Sequence, residues 1–243
     1  MNESPRVSVV MAVYNGLPYI GEQMESILKQ LETGDELLVL DDGSQDGSRE
    51  LVAAYAEKWP QIRLIPGSHV GLIQNFARGI SQARGKVIFL ADQDDIWEPN
   101  KVSRVQAVLE NEAQPMVVLH DAQFVTAAGE PMNQTLFAWR KVKTGFWKNW
   151  LRNSYMGCCM AFNQELRPYI LPFPERIPMH DQWIGLIAER VGKAILLPER
   201  LIRYRRHDKT ATRDAPQSIF MMLRWRVNLF VQYIKRRRTG GRV

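Results

Sequence analysis

The chain has 243 residues, 45% of them apolar and 24% charged. That is the balance of one large folded domain or two small ones, and it excludes a disordered chain, a collagen and a coiled-coil rod. The net charge of +6 is unevenly spread: residues 200–243 carry 13 Lys and Arg against Asp208 and Asp214, a net +11, whereas residues 1–199 carry 19 against 24 Asp and Glu, a net −5.

Residues 6–13 are β-branched and almost wholly apolar, as in a strand buried on both faces. Asn15-Gly16 breaks the run. Pro18 suits the first position of a helix in which Ile20, Met24, Ile27, Leu28 and Leu31 recur at helical spacing. Leu37 to Leu40 reads as a second buried strand ending at Asp41-Asp42-Gly43-Ser44, followed by a helix through Leu51, Val52 and Tyr55. Ile62 to Ile65 is a short strand, 71–84 a helix and Val87 to Ala91 an apolar strand. Pro99 can open a helix to about Asn111, and Met116 to His120 is a strand. Residues 126–156 show no clear period, Gly157 to Phe162 reads as a strand, and 180–192 as a helix.

This alternation predicts an α/β fold with a mostly parallel sheet covered on both faces, whose ligands bind beyond the carboxyl ends of the strands. Three polar clusters fall there: Tyr14-Asn15, Asp41-Asp42 and Asp92-Gln93-Asp94-Asp95. The turn after the first strand, Val13-Tyr14-Asn15-Gly16-Leu17-Pro18, does not match G-x-G-x-x-G, and neither a P-loop nor His-Glu-x-x-His occurs. The crowded carboxylates of Asp92, Asp94 and Asp95 call instead for a divalent cation, and oxygen ligands suit Mg2+ or Mn2+. The competing reading is a turn in which Asp95 caps the helix that follows. Cys158 and Cys159 are adjacent, so no disulfide framework is expected; they read as packing residues in a reducing compartment.

Taken in order, Ser8 to Gly16, Asp41 to Ser48, Ala91 to Trp97, His180-Asp181-Gln182-Trp183 and Tyr204-Arg205-Arg206-His207 make the chain resemble family 2 glycosyltransferases of the GT-A fold. It is most similar to bacterial rhamnosyltransferase-like enzymes of surface-polysaccharide synthesis. The resemblance covers about residues 5–210 and implies a nucleotide-sugar-binding half (about 1–98) and an acceptor-binding half (99–210). It also implies roles. Ala12, Val13 and Tyr14 flank the base and ribose. Asp41 accepts from the pyrimidine imide, with Asp42 supporting its loop. Asn75 and Gln93 lie near the nucleotide. Asp92 and Asp94 form the D-x-D element, Asp92 toward the ribose and Asp94 toward the metal on the diphosphate, and His207 binds metal or phosphate. Arg205, Arg206 and Lys209 are candidates for the diphosphate oxygens, the alternative for the arginines being to face lipid or water. Asp181 is the general base of an inverting transfer from a UDP- or dTDP-sugar to a saccharide or lipid-linked acceptor. Its alternative role is to stabilise a helix N-terminus. Gln182 departs from relatives that carry an aromatic there, a difference bearing on acceptor specificity.

Trp97, Trp139, Trp147, Trp150 and Trp183 offer aromatic faces, of which one or two are expected to touch ligand. The basic tail, residues 211–243, reads as an amphipathic helix over 217–238. Ile219, Phe220, Met222, Leu223, Val227, Phe230, Val231 and Ile234 form its apolar face, and Arg224, Asn228, Gln232 and Lys235 the polar one. Such a helix fits an anionic membrane surface rather than nucleic acid; the alternative is packing on the body. The N-terminus lacks signal-peptide character and no run spans a bilayer. The expectation is therefore a cytoplasmic enzyme, peripheral on the inner membrane, that transfers single sugars. A sugar-phosphate nucleotidyltransferase and a non-catalytic polyanion-binding module are the competing classes.

Overall fold

A computed structural model describes residues 4–110, 112–208 and 219–238. In chain order the elements are β1 (Val7–Val13), α1 (Ile20–Leu28), β2 (Glu36–Asp41), α2 (Ser48–Lys58), β3 (Ile62–Pro66), α3 (Leu72–Gln82), β4 (Val87–Ala91) and β5 (Ile96–Trp97). There follow α4 (Lys101–Leu109), β6 (Met116–Val125), β7 (Pro131–Thr135), α5 (Leu136–Arg140), α6 (Phe146–Leu151), β8 (Met160–Asn163), α7 (Arg167–Ile170), α8 (His180–Val191), β9 (Lys193–Arg205) and α9 (Ile219–Arg238).

The strands form one sheet in the order β3-β2-β1-β4-β8-β6-β9-β5, with β7 on β6. Pairing is parallel from β3 through β4, the half built of β-strands and crossover helices. β8 then runs antiparallel to both β4 and β6, and β9 returns parallel to β6. Every residue of β1, β2 and β4 is buried, as their unbroken apolar runs require of strands covered on both faces. The chain order reverses at β1, which has β2 on one side and β4 on the other, and at such a switch point a crevice opens beyond the carboxyl ends. Helix α3 closes tightly on the sheet: a Cβ on Gly79 would lie 2.4 Å from Val10 Cγ1 and 2.6 Å from Leu40 Cδ1.

Several local expectations are corrected. Pro18 lies in the turn before α1, which starts at Ile20, because the chain must first turn through Gly16. Gly157–Cys159 is a 3-10 turn, and the strand begins only at Met160. The stretch 126–156 holds β7, α5 and α6, too short to print a period on the sequence. Asp95 caps no helix; Asn100 occupies the position before α4. Both cysteines are buried and unpaired, as packing residues are.

Helix α9 packs on the body. Leu229 and Tyr233 are buried, Trp150 Nε1 donates to the Arg226 carbonyl (3.1 Å), and Arg190 Nε to the Tyr233 hydroxyl (2.8 Å). Its apolar face is thereby divided, because Leu223, Val227 and Val231 stay exposed along another side. The side chains of Ile219 and Phe220, and residues 209–218 with Lys209, lie outside the described residues. Among the described residues no helix is long and apolar enough to cross a membrane.

Candidate active site

An open cleft of roughly 840 Å³ lies beyond the carboxyl ends of β1, β2 and β4. Ala12, Val13, Tyr14, Asp42, Asn75, Asp92, Gln93, Asp94 and Asp181 all line it. These residues come from segments up to about 170 positions apart, and the sheet's switch point is what gathers them.

The β1 end is shaped by Asn15, which adopts φ +50°, a left-handed conformation that Asn tolerates. Its N–H donates to Ser44 Oγ (2.9 Å) and its Oδ1 accepts from the Gln45 N–H (2.9 Å), so the loops after β1 and β2 are tied together. Gln93 clamps the Tyr14 backbone, accepting from its N–H at 2.8 Å and donating to its carbonyl at 3.1 Å. Tyr14 is left half exposed, its ring meeting His69 edge-on at 4.7 Å.

Asp41 is a correction. It does not line the cleft: its carboxylate is fully buried and accepts from Arg49 Nε (2.7 Å) and Nη2 (2.5 Å), and from the Gly43 and Ser44 N–H groups. Burial raises its proton affinity, but these bonds outweigh it and hold Asp41 below the usual carboxylate range. The carboxylate facing the cleft is Asp42. It accepts from the Val70 and Gly71 N–H groups, both at 2.8 Å, and so binds the start of α3, where the helix dipole favours an anion. Asn75 Nδ2 donates to the Leu40 carbonyl (2.8 Å), anchoring α3 to β2.

The Asp92–Asp95 turn follows β4. His207 does not itself line the cleft, but its Nε2 lies 2.8 Å from Asp94 Oδ2. Arg205, a candidate for the diphosphate, is instead structural. It is 3% exposed, pairs with Glu22 (2.6 Å), donates from Nε to the Asp94 carbonyl (2.9 Å), and its N–H reaches Asp95 Oδ1 (3.1 Å). The Arg206 guanidinium lies over the Phe124 and Trp139 rings, away from the cleft lining. Burial, then the neighbouring Asp94 and Asp181 charges, push Asp92 up to about 7. Burial, with Asp94 and Asp92, raises Asp95 well above the carboxylate range, and Asp95 Oδ2 has no hydrogen-bond partner among the described residues. Beneath them Lys101 is fully buried, donating to the Cys158 carbonyl (2.8 Å); burial pushes its ammonium down to about 8. Crowded carboxylates that resist ionisation, one of them with an orphaned oxygen, form a hard oxygen set that fits Mg2+ or Mn2+. Asp92, Asp95 and Cys158 also bring one ligand atom each within 4.8 Å of one another, but the thiol is a soft partner that Mg2+ does not seek.

Asp181 lies in the first turn of α8. Its Oδ1 accepts from Asn153 Nδ2 (3.2 Å) and the Gln182 N–H (2.5 Å), while Oδ2 has no hydrogen-bond partner among the described residues. Both roles considered for Asp181 are thus compatible: it satisfies a free N–H at the helix start and stays at the cleft. Gln182 is turned inward, donating to the Asn149 carbonyl (2.8 Å). His180 is buried and stacked on Phe76 at 4.1 Å, and burial lowers its pKa against the opposing pull of Asp181. None of the five tryptophans singled out lines the cleft; Trp183 and Trp97 are core residues. The residues missed include Arg140, Asn153, Met156, Pro178 and Met179, together with Met221 and Trp225 of α9. The first three lie in the aperiodic stretch, and nothing in the sequence pointed α9 at the cleft.

A parallel α/β half that presents carboxylates at its strand ends, followed by a mixed half that closes the same cleft, defines the GT-A fold of glycosyltransferases. The chain belongs to glycosyl transferase family 2, whose model matches residues 8–169. It is 26% identical over 211 residues to an uncharacterized glycosyltransferase of Nostoc sp., covering 83% of this chain and 65% of the relative. It is 34% identical over 116 residues to the glycosyltransferase GlyG of Streptococcus pneumoniae, covering 47% of this chain and 38% of that one. The chain thus spans less than two thirds of the length of these relatives. Among solved structures it resembles residues 1–349 of S. aureus TarS in complex with UDP-GlcNAc (TM-score 0.71, 18% identity, 93% of this chain and 66% of that one). It also resembles a mannosyltransferase of Pyrobaculum calidifontis in complex with GDP-Man and Mn2+ (TM-score 0.61, 20% identity, 96% and 65%).

Proposed function

We propose that this protein is an inverting, divalent-metal-dependent glycosyltransferase. It moves a sugar, rhamnose or a hexose, from a UDP- or dTDP-sugar to a saccharide or lipid-linked acceptor of cell-surface polysaccharide. The observation that carries this reading is that Asp92 and Asp94 share one cleft with Asp181, whose Oδ2 is left over from its own hydrogen bonds.

In this reading residues 1–98 form the donor half and 99–210 the acceptor half. Tyr14 and His69 flank the base, and Asp42, rather than the Arg49-bound Asp41, faces it. Asp92, Asp94 and His207 would hold Mg2+ or Mn2+, which when bound offsets the charge growing on the departing nucleoside diphosphate. Asp181 takes the proton from the acceptor hydroxyl as its oxygen bonds to the anomeric carbon, and the glycosidic bond to the diphosphate breaks on the opposite face. Asn153 and the Gln182 N–H fix one oxygen of Asp181, so the other is oriented without reorganisation. Residues 211–243 serve as a peripheral attachment to the cytoplasmic face of the inner membrane. The exposed Leu223, Val227 and Val231 stripe and the basic Lys235-Arg236-Arg237-Arg238 run support this.

Calorimetric titration with UDP and dTDP, with and without Mn2+, tests the donor site on wild type and Asp94→Ala. Metal-dependent binding that the substitution abolishes is expected. Absence of binding of either nucleotide to folded protein would remove the donor assignment. Co-sedimentation with vesicles containing phosphatidylglycerol tests the attachment.

A further inference from the structure

We infer that the acceptor side of the cleft is built to take an anionic group, a carboxylate or a phosphate, on Arg140. This inference rests on the transferase reading above and names a chemical class for its acceptor.

The charge pattern is the first argument. Four carboxylates line the cleft, those of Asp42, Asp92, Asp94 and Asp181, and Arg140 is the one Lys or Arg among the described lining residues. Elsewhere the described guanidinium groups that reach a carboxylate are spoken for: Arg6 by Asp35 and Glu32, Arg49 by Asp41, Arg63 and Arg84 by Glu36, Arg104 by Glu199, Arg203 by Glu98 and Arg205 by Glu22. Among the described residues no carboxylate lies within salt-bridge distance of Arg140. Its Nη1 donates to the Tyr155 carbonyl at 2.5 Å and its guanidinium carbon lies 5.1 Å from the Trp139 ring centre. The other N–H donors of its planar fork have no acceptor among the described residues, and that fork matches a carboxylate or phosphate two-pronged.

Its place is the second argument. The Tyr155 residue that accepts from Arg140 donates its own N–H to Asn153 Oδ1 (2.9 Å), and Asn153 Nδ2 donates to Asp181 Oδ1 (3.2 Å). A short relay therefore sets the guanidinium relative to the residue proposed as base. The wall beside them is apolar, with Met156, Pro178 and Met179, joined by Met221 and Trp225 of α9. Low polarity strengthens a charge-assisted hydrogen bond formed there. The donor diphosphate is assigned to the cation that Asp92, Asp94 and His207 would hold, so the anion meeting Arg140 is assigned to the acceptor: a sugar carboxylate, or a phosphate next to the sugar that is extended.

The test uses the full chain as wild type, Arg140→Gln and Arg140→Lys, with saturation-transfer NMR against methyl glucuronoside, methyl glucoside 6-phosphate and methyl glucoside. Each is titrated with and without UDP and Mn2+. The anionic glycosides are expected to bind wild type, to bind Arg140→Gln about tenfold more weakly and Arg140→Lys in between, while methyl glucoside binds all three alike and the affinity for UDP stays unchanged. Whether the glucuronoside or the phosphate responds more strongly identifies the source of the anion. Anionic probes that bind no better than methyl glucoside, or equally to wild type and both variants, overturn the inference. So does a tenfold loss of UDP affinity in Arg140→Gln, which would assign Arg140 to the donor diphosphate. If Arg140→Gln does not fold, the Arg140→Lys comparison decides. If wild type binds no nucleotide, the transferase reading fails, and the nucleotide-free titrations still report on Arg140.

Discussion

His207 Nε2 and Asp94 Oδ2 lie 2.8 Å apart, although the residues are separated by 113 positions. The contact joins the segment after β9 to the turn after β4, so the proposed metal ligand Asp94 is met by a residue from the far side of the sheet. Asp94→Ala is expected to abolish Mn2+-dependent nucleotide binding. His207→Ala is expected to weaken it by about 10–100-fold, the usual scale for a partner that orients or supplements a metal ligand. Calorimetry of Mn2+ with UDP distinguishes the two.

Asp181→Asn keeps the shape of the side chain and the hydrogen bond from Asn153 with a reoriented amide, but removes the carboxylate proposed as base. The turnover rate is expected to fall by about 10²–10⁴-fold, the contribution of a positioned acid or base, while UDP affinity stays at the wild-type value. A parallel loss of UDP affinity would place Asp181 in donor binding.

Asp92 contributes a pH dependence of known sign. Its pKa is raised from the ordinary 3.8 to about 7, by burial first and by Asp94 and Asp181 next. Between those two values the folded protein holds a proton that the unfolded chain has released, so stability falls as pH rises from about 4 to about 7. Without divalent cations, Asp92→Asn is expected to melt with wild type near pH 4 and several degrees above it at pH 8, at about 2–4 °C per kcal/mol for a chain of this size. Thermal melts in EDTA at both pH values check the sign. Adding Mn2+ at pH 8 is expected to raise the melting temperature of wild type and not that of the variant.

Arg49 and Arg104 both pair with carboxylates, in different surroundings. Asp41 is fully buried beneath Arg49, whereas the side chains of Arg104 and Glu199 are 49% and 33% exposed. Arg49→Ala strands a buried charge and is expected to cost about 1.5–3 kcal/mol; Arg104→Ala, whose pair is solvated, is expected to change stability far less. Urea denaturation of both variants measures the difference.

Much of the parallel half was legible because its signals are local. Apolar runs at 7–13, 37–40 and 87–91 must be buried strands, and the polar residues that end them must lie at one edge of a parallel sheet. Asp42, Asp92 and Asp94 could therefore be placed at the cleft from their positions alone. The division of labour between Asp41 and Asp42 could not, since adjacent carboxylates look alike until Arg49 is seen to occupy one of them. The second half of the sheet was harder to read. Its elements between residues 126 and 156 are short, and a five-residue helix such as α5 leaves no periodicity to detect.

What the sequence determined by itself is the α/β alternation, the strand-end carboxylates and the basic, apolar character of the last helix, all set by neighbours along the chain. Tertiary structure decided that Arg205 clamps the Asp92–Asp95 turn, that α9 brings Met221 and Trp225 to the cleft, and that Arg140 comes within two hydrogen-bonded residues of Asp181. These contacts join residues distant in the chain, and their geometry follows from how the sheet and helices pack, which no local pattern encodes.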